Sequence, residues 1–91
     1  MLEANMNKIL ISYKSRNNLL ALARILNSYG IPSATVNTPH SISVSCGLSL
    51  KVDYRYFPQI KNIIMTANLT GFLGVFLFER NGTTERVERI F

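Results

Sequence analysis

The chain of 91 residues has one cysteine, one histidine, no tryptophan, three prolines and five carboxylates against ten lysines and arginines. One cysteine excludes an internal disulfide and points to a reducing compartment. One cysteine and one histidine cannot close a structural zinc site, so no metal is expected. Few carboxylates leave no paired-acid constellation, and no glycine-rich phosphate loop is present. No cofactor is expected. The start, Met1 to Lys8, has neither the basic end nor the apolar stretch of a signal peptide. The longest apolar run, Gly71 to Phe78, is too short to cross a bilayer. These features predict a soluble cytoplasmic protein without membrane contact.

What is present is globular: 47% of residues are hydrophobic, enough for one core at this length and not for two. The net charge of +5 is uneven. Lys8, Lys14, Arg16, Arg24, Lys51, Arg55 and Lys61 face only Glu3 and Asp53, whereas Arg80, Arg86 and Arg89 are balanced by Glu79, Glu85 and Glu88. Such a basic body attracts anions, but no dense cluster marks a nucleic-acid surface.

Lys8 to Tyr13 reads as a central strand, β-branched and apolar on both faces. Ser15 or Asn17 can cap the following helix, whose stripe is Leu19, Leu22, Ala23 and Leu26. Gly30, Ile31 and Pro32 end it. Ser33 to Asn37 reads as a second strand. Ile42 and Val44, then Leu48, Leu50 and Val52, alternate as a strand broken at Cys46-Gly47, so the third strand begins near Gly47. Asp53 can cap a second helix, with Pro58 in its first turn and Ile60, Ile63, Ile64 and Ala67 inward. Phe72 to Phe78 is a fourth strand. The order βαββαβ predicts an α+β, ferredoxin-like sandwich: a four-stranded antiparallel sheet with two helices on one face. Residues 1–79 form the domain and 80–91 a charged C-terminal extension. The fourth strand would then be an edge, covered by the tail or by a second copy of the chain through 72–78. Asn81-Gly82 favours a hairpin, while Thr84, Val87, Ile90 and Phe91 also fit a capped helix, and the two remain open.

The chemistry centres on Cys46. In this topology the first strand ends, the first helix begins and the third strand begins at one end of the sheet. Cys46 should therefore approach Lys14, Ser15, Arg16 and the first free amides of the helix, with His40, Ser45 and Gly47 nearby. Cations and a helix N-terminus stabilise a thiolate, or an anion in its place. The competing reading is a buried, inert cysteine. Tyr13, Tyr54, Tyr56 and Phe57 could stack bases, but the third strand lacks the exposed aromatics of RNA-binding domains of this topology, which makes nucleic acid an unfavoured partner.

Thr38-Pro39, Ile42-Ser43 and Ser45-Cys46-Gly47-Leu48-Ser49-Leu50 together resemble the signature of the Se/S carrier-like family. The resemblance runs from about Ile9 to Phe78 and includes the helix end Tyr29-Gly30-Ile31-Pro32; the tail looks like an addition. It implies that Cys46 is the nucleophile that holds sulfur or selenium as a persulfide or selenosulfide. It also implies donor and acceptor proteins as partners and no turnover of the domain's own. The alternatives are a non-catalytic binding or oligomerisation module and, less favoured, a small RNA-binding domain.

Overall fold

A computed structural model describes residues 8–38, 47–81 and 84–91, of which 80, 81, 84 and 85 by backbone alone. His40, Ser45 and Cys46 lie outside the described residues. The chain runs β1 (Lys8–Tyr13), α1 (Arg16–Ser28), β2 (Ala34–Asn37), β3 (Leu48–Asp53), a 3₁₀ turn (Tyr54–Tyr56), α2 (Phe57–Ala67), β4 (Phe72–Asn81) and β5 (Thr84–Arg89). The strands form one five-stranded antiparallel sheet in the order β2-β3-β1-β4-β5.

β1 is the inner strand of this α+β domain because five of its six residues are apolar or small enough to be buried. Ile9 pairs with Val52 and Leu77, and Ile11 with Leu50 and Val75. Cross-strand partners share a face, so these side chains present one apolar surface. Leu19, Leu22 and Leu26 of α1 and Ile60, Ile63 and Ile64 of α2 close over it in a single core. Both helices therefore pack on the same side of the sheet.

Each helix end has a local cause. The Ser15 side chain accepts from the Asn18 amide at 3.4 Å, which satisfies one of the free donors of the first turn. At the other end Gly30 takes φ +76°. The Gly30 amide donates to Asn27 and the Ile31 amide to Leu26, each at 3.0 Å. This pair of reversed hydrogen bonds defines a Schellman end, and Ile31 follows into the core. Asp53 caps the 3₁₀ turn, accepting from the Arg55 amide at 3.0 Å, so α2 itself starts three residues later than an Asp53 cap would place it. Pro58 sits in its first turn, where the missing amide costs nothing.

One expectation is corrected, and one open alternative is decided. The sheet has five strands rather than four, and β4 is not its edge. The tail is a strand rather than a helix: Phe78 pairs with Val87, Glu79 with Arg86 and Asn81 with Thr84. The cause is the row of amides and carbonyls along β4. A helical tail would leave them exposed beside apolar side chains, and a paired strand satisfies them. The ladder is helped by the Arg86–Glu79 contact at 3.9 Å across the strands. Beyond it the amides of Ile90 and Phe91 both donate to the Val75 carbonyl, and both side chains pack against the core.

β4 carries an extra residue where it passes the end of β1. Ser12 pairs with Gly74 but Tyr13 with Phe72, so Leu73 is unmatched. Gly74 takes φ +146° there. A Cβ at this position would stand 3.0 Å from Arg89 Nε and 3.2 Å from the Phe76 ring.

Gly74→Ala should therefore lose about 1–3 kcal/mol, the usual cost of a side chain in such backbone space, read as a lower urea midpoint. A second expectation concerns acid. The Arg55 amide bond first, and then the charges of Arg55 and Lys8, hold the Asp53 carboxyl below its ordinary range. A depressed folded-state pKa contributes stability above the unfolded value, and that stability is lost as pH falls through the folded one. Asp53→Asn should be less stable than the parent at pH 7, and the gap should close below about pH 4, measured by urea unfolding at both pH values.

Candidate functional site

β1 ends at Tyr13, α1 begins at Arg16, and β3 begins at Leu48 opposite Asn37 of β2. These four ends meet at one end of the sheet around a cavity of about 320 Å³ lined by Tyr13, Lys14, Arg16, Asn37, Gly47 and Leu48. Lys14, Arg16 and Gly47 are thus brought together. Ser15 lies between the two cations but is engaged as the cap of α1 and does not line the cavity. His40, Ser45 and Cys46 fall outside the described residues. The Thr38 amide donates to the Gly47 carbonyl at 2.8 Å, so Thr38 stands beside a residue of the cavity wall.

The backbone fixes the cavity wall. The Lys14 amide donates to the Gly71 carbonyl at 2.6 Å, anchoring the link between β1 and α1. The Asn18 side-chain amide donates to the Thr70 carbonyl at 2.7 Å and contacts its hydroxyl at 3.1 Å. The first turn of α1 is therefore tied to the turn before β4, and its first residue, Arg16, lines the cavity.

Tyr13, Asn37 and Leu48 are cavity residues that sequence reasoning did not single out for the site. Tyr13 is only 5% exposed, its ring 5.4 Å from that of Phe72. Its hydroxyl is buried and has no hydrogen-bond partner among the described residues. Burial pushes its pKa up, so at neutral pH the group is a protonated donor. Tyr13 is also separated from Tyr54, Tyr56 and Phe57. Those rings cluster by the 3₁₀ turn, Tyr54 stacked on Phe57 at 6.0 Å and Arg55 over Tyr56, so the four aromatics do not form one stacking platform.

On the opposite face of the sheet a row of hydroxyls runs toward the same hairpin. Ser12 and Ser49 are register partners and are 1% and 0% exposed. Their Oγ atoms are 2.7 Å apart, and Thr38 Oγ1 lies 2.7 Å from Ser49 Oγ. Thr38 Oγ1 is also 3.8 Å from where a Cβ on Gly47 would stand. Serine in the apolar run Ile9–Tyr13 is the sequence signal for this row, since a buried hydroxyl needs a partner.

Two larger concavities lack this chemistry. One of about 450 Å³ at the other end of the sheet includes Lys8, Lys51 and Arg55, and there a carboxylate, Asp53, stands 3.8 Å from Lys8 and 3.9 Å from Arg55 and offsets part of the charge. The other, about 420 Å³, is a groove between the helices lined by Ile25, Tyr29 and Ile63. Among the described residues no three His, Cys, Asp or Glu side chains converge as a metal site, and no helix is long and apolar enough to cross a membrane.

The fold is a small α+β domain with a cation-lined cavity at one end of its sheet. The chain belongs to the family described as Putative Se/S carrier protein-like, whose model matches residues 8–71, from β1 to the turn before β4. No curated protein and no solved structure matches the chain.

Ser49→Ala should cost about 1–3 kcal/mol, because it leaves both Ser12 and Thr38 without that partner in a buried row. The double variant Ser12→Ala/Ser49→Ala should cost less than the sum of the two single changes, since it removes both ends of one bond. Urea unfolding of the four proteins reads the coupling.

Proposed function

We propose that the protein is a carrier that holds sulfur or selenium on Cys46 and passes it between partner proteins. The observation that carries the reading is the convergence of Lys14, Arg16 and Gly47 on one cavity in a chain of the carrier-like family. Cys46 is bonded to Gly47, and a thiolate next to two cations and the first amides of a helix would be stabilised. Ser15 would hold that helix start in place; Ser45 immediately precedes the thiol in sequence and His40 lies further upstream. The first four strands, in the order β2-β3-β1-β4, support a ferredoxin-like core of residues 1–79. Residues 80–91 add β5 to it.

In the transfer, the Cys46 thiolate attacks the terminal sulfur of a donor persulfide. A sulfur–sulfur bond forms to Cys46, the donor's sulfur–sulfur bond breaks, and the donor leaves as a thiolate. The electron count is unchanged. An acceptor thiolate takes the sulfur in the same way, returning Cys46 to the thiolate. Selenium would move by the same displacement. Between transfers the carrier needs Cys46 as a free thiol, which a reducing compartment preserves, and this favours the cytoplasm. The carrier reading needs no cofactor and no turnover by this chain alone. The competing idea of self-association by strand addition at 72–78 would require a free edge on β4, and β5 occupies that edge.

Incubation of the reduced protein with a cysteine desulfurase and cysteine should add one sulfur by intact mass. The adduct should be removed by a thiol reductant and be absent from Cys46→Ser. Lys14→Gln/Arg16→Gln should slow alkylation of Cys46 near pH 7 by raising its pKa toward the ordinary value of about 8.5. No adduct, with a slowly alkylating thiol in the parent, would make Cys46 a structural residue.

A further inference from the structure

We propose that the cavity at the start of α1 binds a small free oxyanion, with Lys14 and Arg16 supplying the charge and the Tyr13 hydroxyl a buried hydrogen bond. The inference goes beyond the carrier reading because none of its groups is the thiol.

The Tyr13 hydroxyl is the observation that requires a ligand. Tyr13 is nineteen-twentieths buried, at 5% exposure, yet its hydroxyl has no partner among the described residues. Phenylalanine would fill the same space against Phe72 without that cost, since a buried polar group left unpaired destabilises the fold. The neighbouring buried hydroxyls do not share the defect: Ser12 and Ser49 satisfy each other at 2.7 Å. Tyr13 lines the cavity, so an acceptor entering it would supply the missing partner.

The lining specifies the acceptor. Lys14 and Arg16 are cations, Asn37 brings a carboxamide, and Arg16 is the first residue of α1, whose N-terminal end carries partial positive charge. No carboxylate lines the cavity among the described residues. Donors of several kinds converging without an opposing negative charge suit an anion with several oxygens. The volume of about 320 Å³ lies at the lower limit of ligand pockets, which favours a small anion over a nucleotide. Because burial raises the tyrosine pKa, its proton remains available for donation throughout the neutral range.

The test uses the full chain with Cys46→Ser, so that no covalent adduct can form, and titrates it with thiosulfate by calorimetry. Saturable binding is expected, with a rise in melting temperature as ligand is added. Tyr13→Phe in the same background should fold, melt no lower than its parent without ligand, and bind thiosulfate about tenfold or more weakly, the loss expected for a hydrogen bond to a charged group. Lys14→Gln/Arg16→Gln should abolish binding. A second measurement needs no change at Tyr13: its ring resonances should shift as thiosulfate is added. Adenosine monophosphate, tested in parallel, should bind more weakly than thiosulfate. Failure of thiosulfate to bind, or Tyr13→Phe binding as tightly as its parent, would overturn the proposal. Unmoved Tyr13 resonances would do the same, and tighter binding of the nucleotide would overturn the assignment to a free oxyanion. A missing sulfur adduct on Cys46 would leave all of these results untouched.

Discussion

The double pairing of β1, to β3 on one side and β4 on the other, is the constraint on which the rest of the molecule depends. β1 is the middle of the five strands, and both of its faces are buried. Ile9, Ile11 and Tyr13 face the helices and set the core. Leu10 and Ser12 are equally buried on the reverse face. The same pairing fixes where β1 ends, and with it the point from which α1 departs. Lys14 is held there by its bond to Gly71. The cavity is the space left where a rigid central strand turns into a helix between its two neighbours.

At that end, consecutive residues resolve the problem of buried polarity in opposite ways. Ser12 points to the reverse face and meets Ser49, its register partner. Tyr13 points to the helix face, where Val75, Leu50 and Phe72 offer contacts but no acceptor for its hydroxyl. The bulge at Leu73 contributes to this difference. It moves the pairing of Tyr13 from the residue before Gly74 to Phe72, setting two rings side by side at 5.4 Å. Aromatic packing stabilises the strand end, and the hydroxyl remains at the wall of the cavity.

Much of this was legible in the residues. The α1 end is local chemistry: Tyr29-Gly30-Ile31-Pro32 contains a glycine able to take positive φ, an apolar residue to follow it and a proline to stop the helix, and the structure uses each. The approach of Lys14 and Arg16 to Gly47 followed from element order alone, because strand pairing and crossover hand decide which ends meet. β5 was not legible, since Val87, Ile90 and Phe91 satisfy a helical spacing as well as a strand. The choice was made by the unpaired edge of β4, a tertiary demand that local periodicity does not contain. Tyr13 escaped notice for the converse reason: alternation assigned it correctly to the core, and an orphaned hydroxyl is a property of surroundings rather than of sequence. For His40, Ser45 and Cys46, which lie outside the described residues, only the geometry of their anchors, Thr38 and Gly47, bears on the site.

The charge balance ties these points together. The chain carries +5, but the two ends of the sheet use their cations differently. At the end where β1 begins, Asp53 stands near Lys8 and Arg55 and offsets part of the charge they share with Lys51. Along the β4–β5 hairpin Arg86 is matched by Glu79 and Glu88. At the end where α1 begins, Lys14 and Arg16 line a concave surface with no carboxylate in its wall among the described residues, and the start of the helix adds potential of the same sign. A concave surface concentrates such a field. Among the described residues, that end is therefore a concave surface whose wall holds cations without a carboxylate, and Cys46 is bonded to Gly47 in that wall.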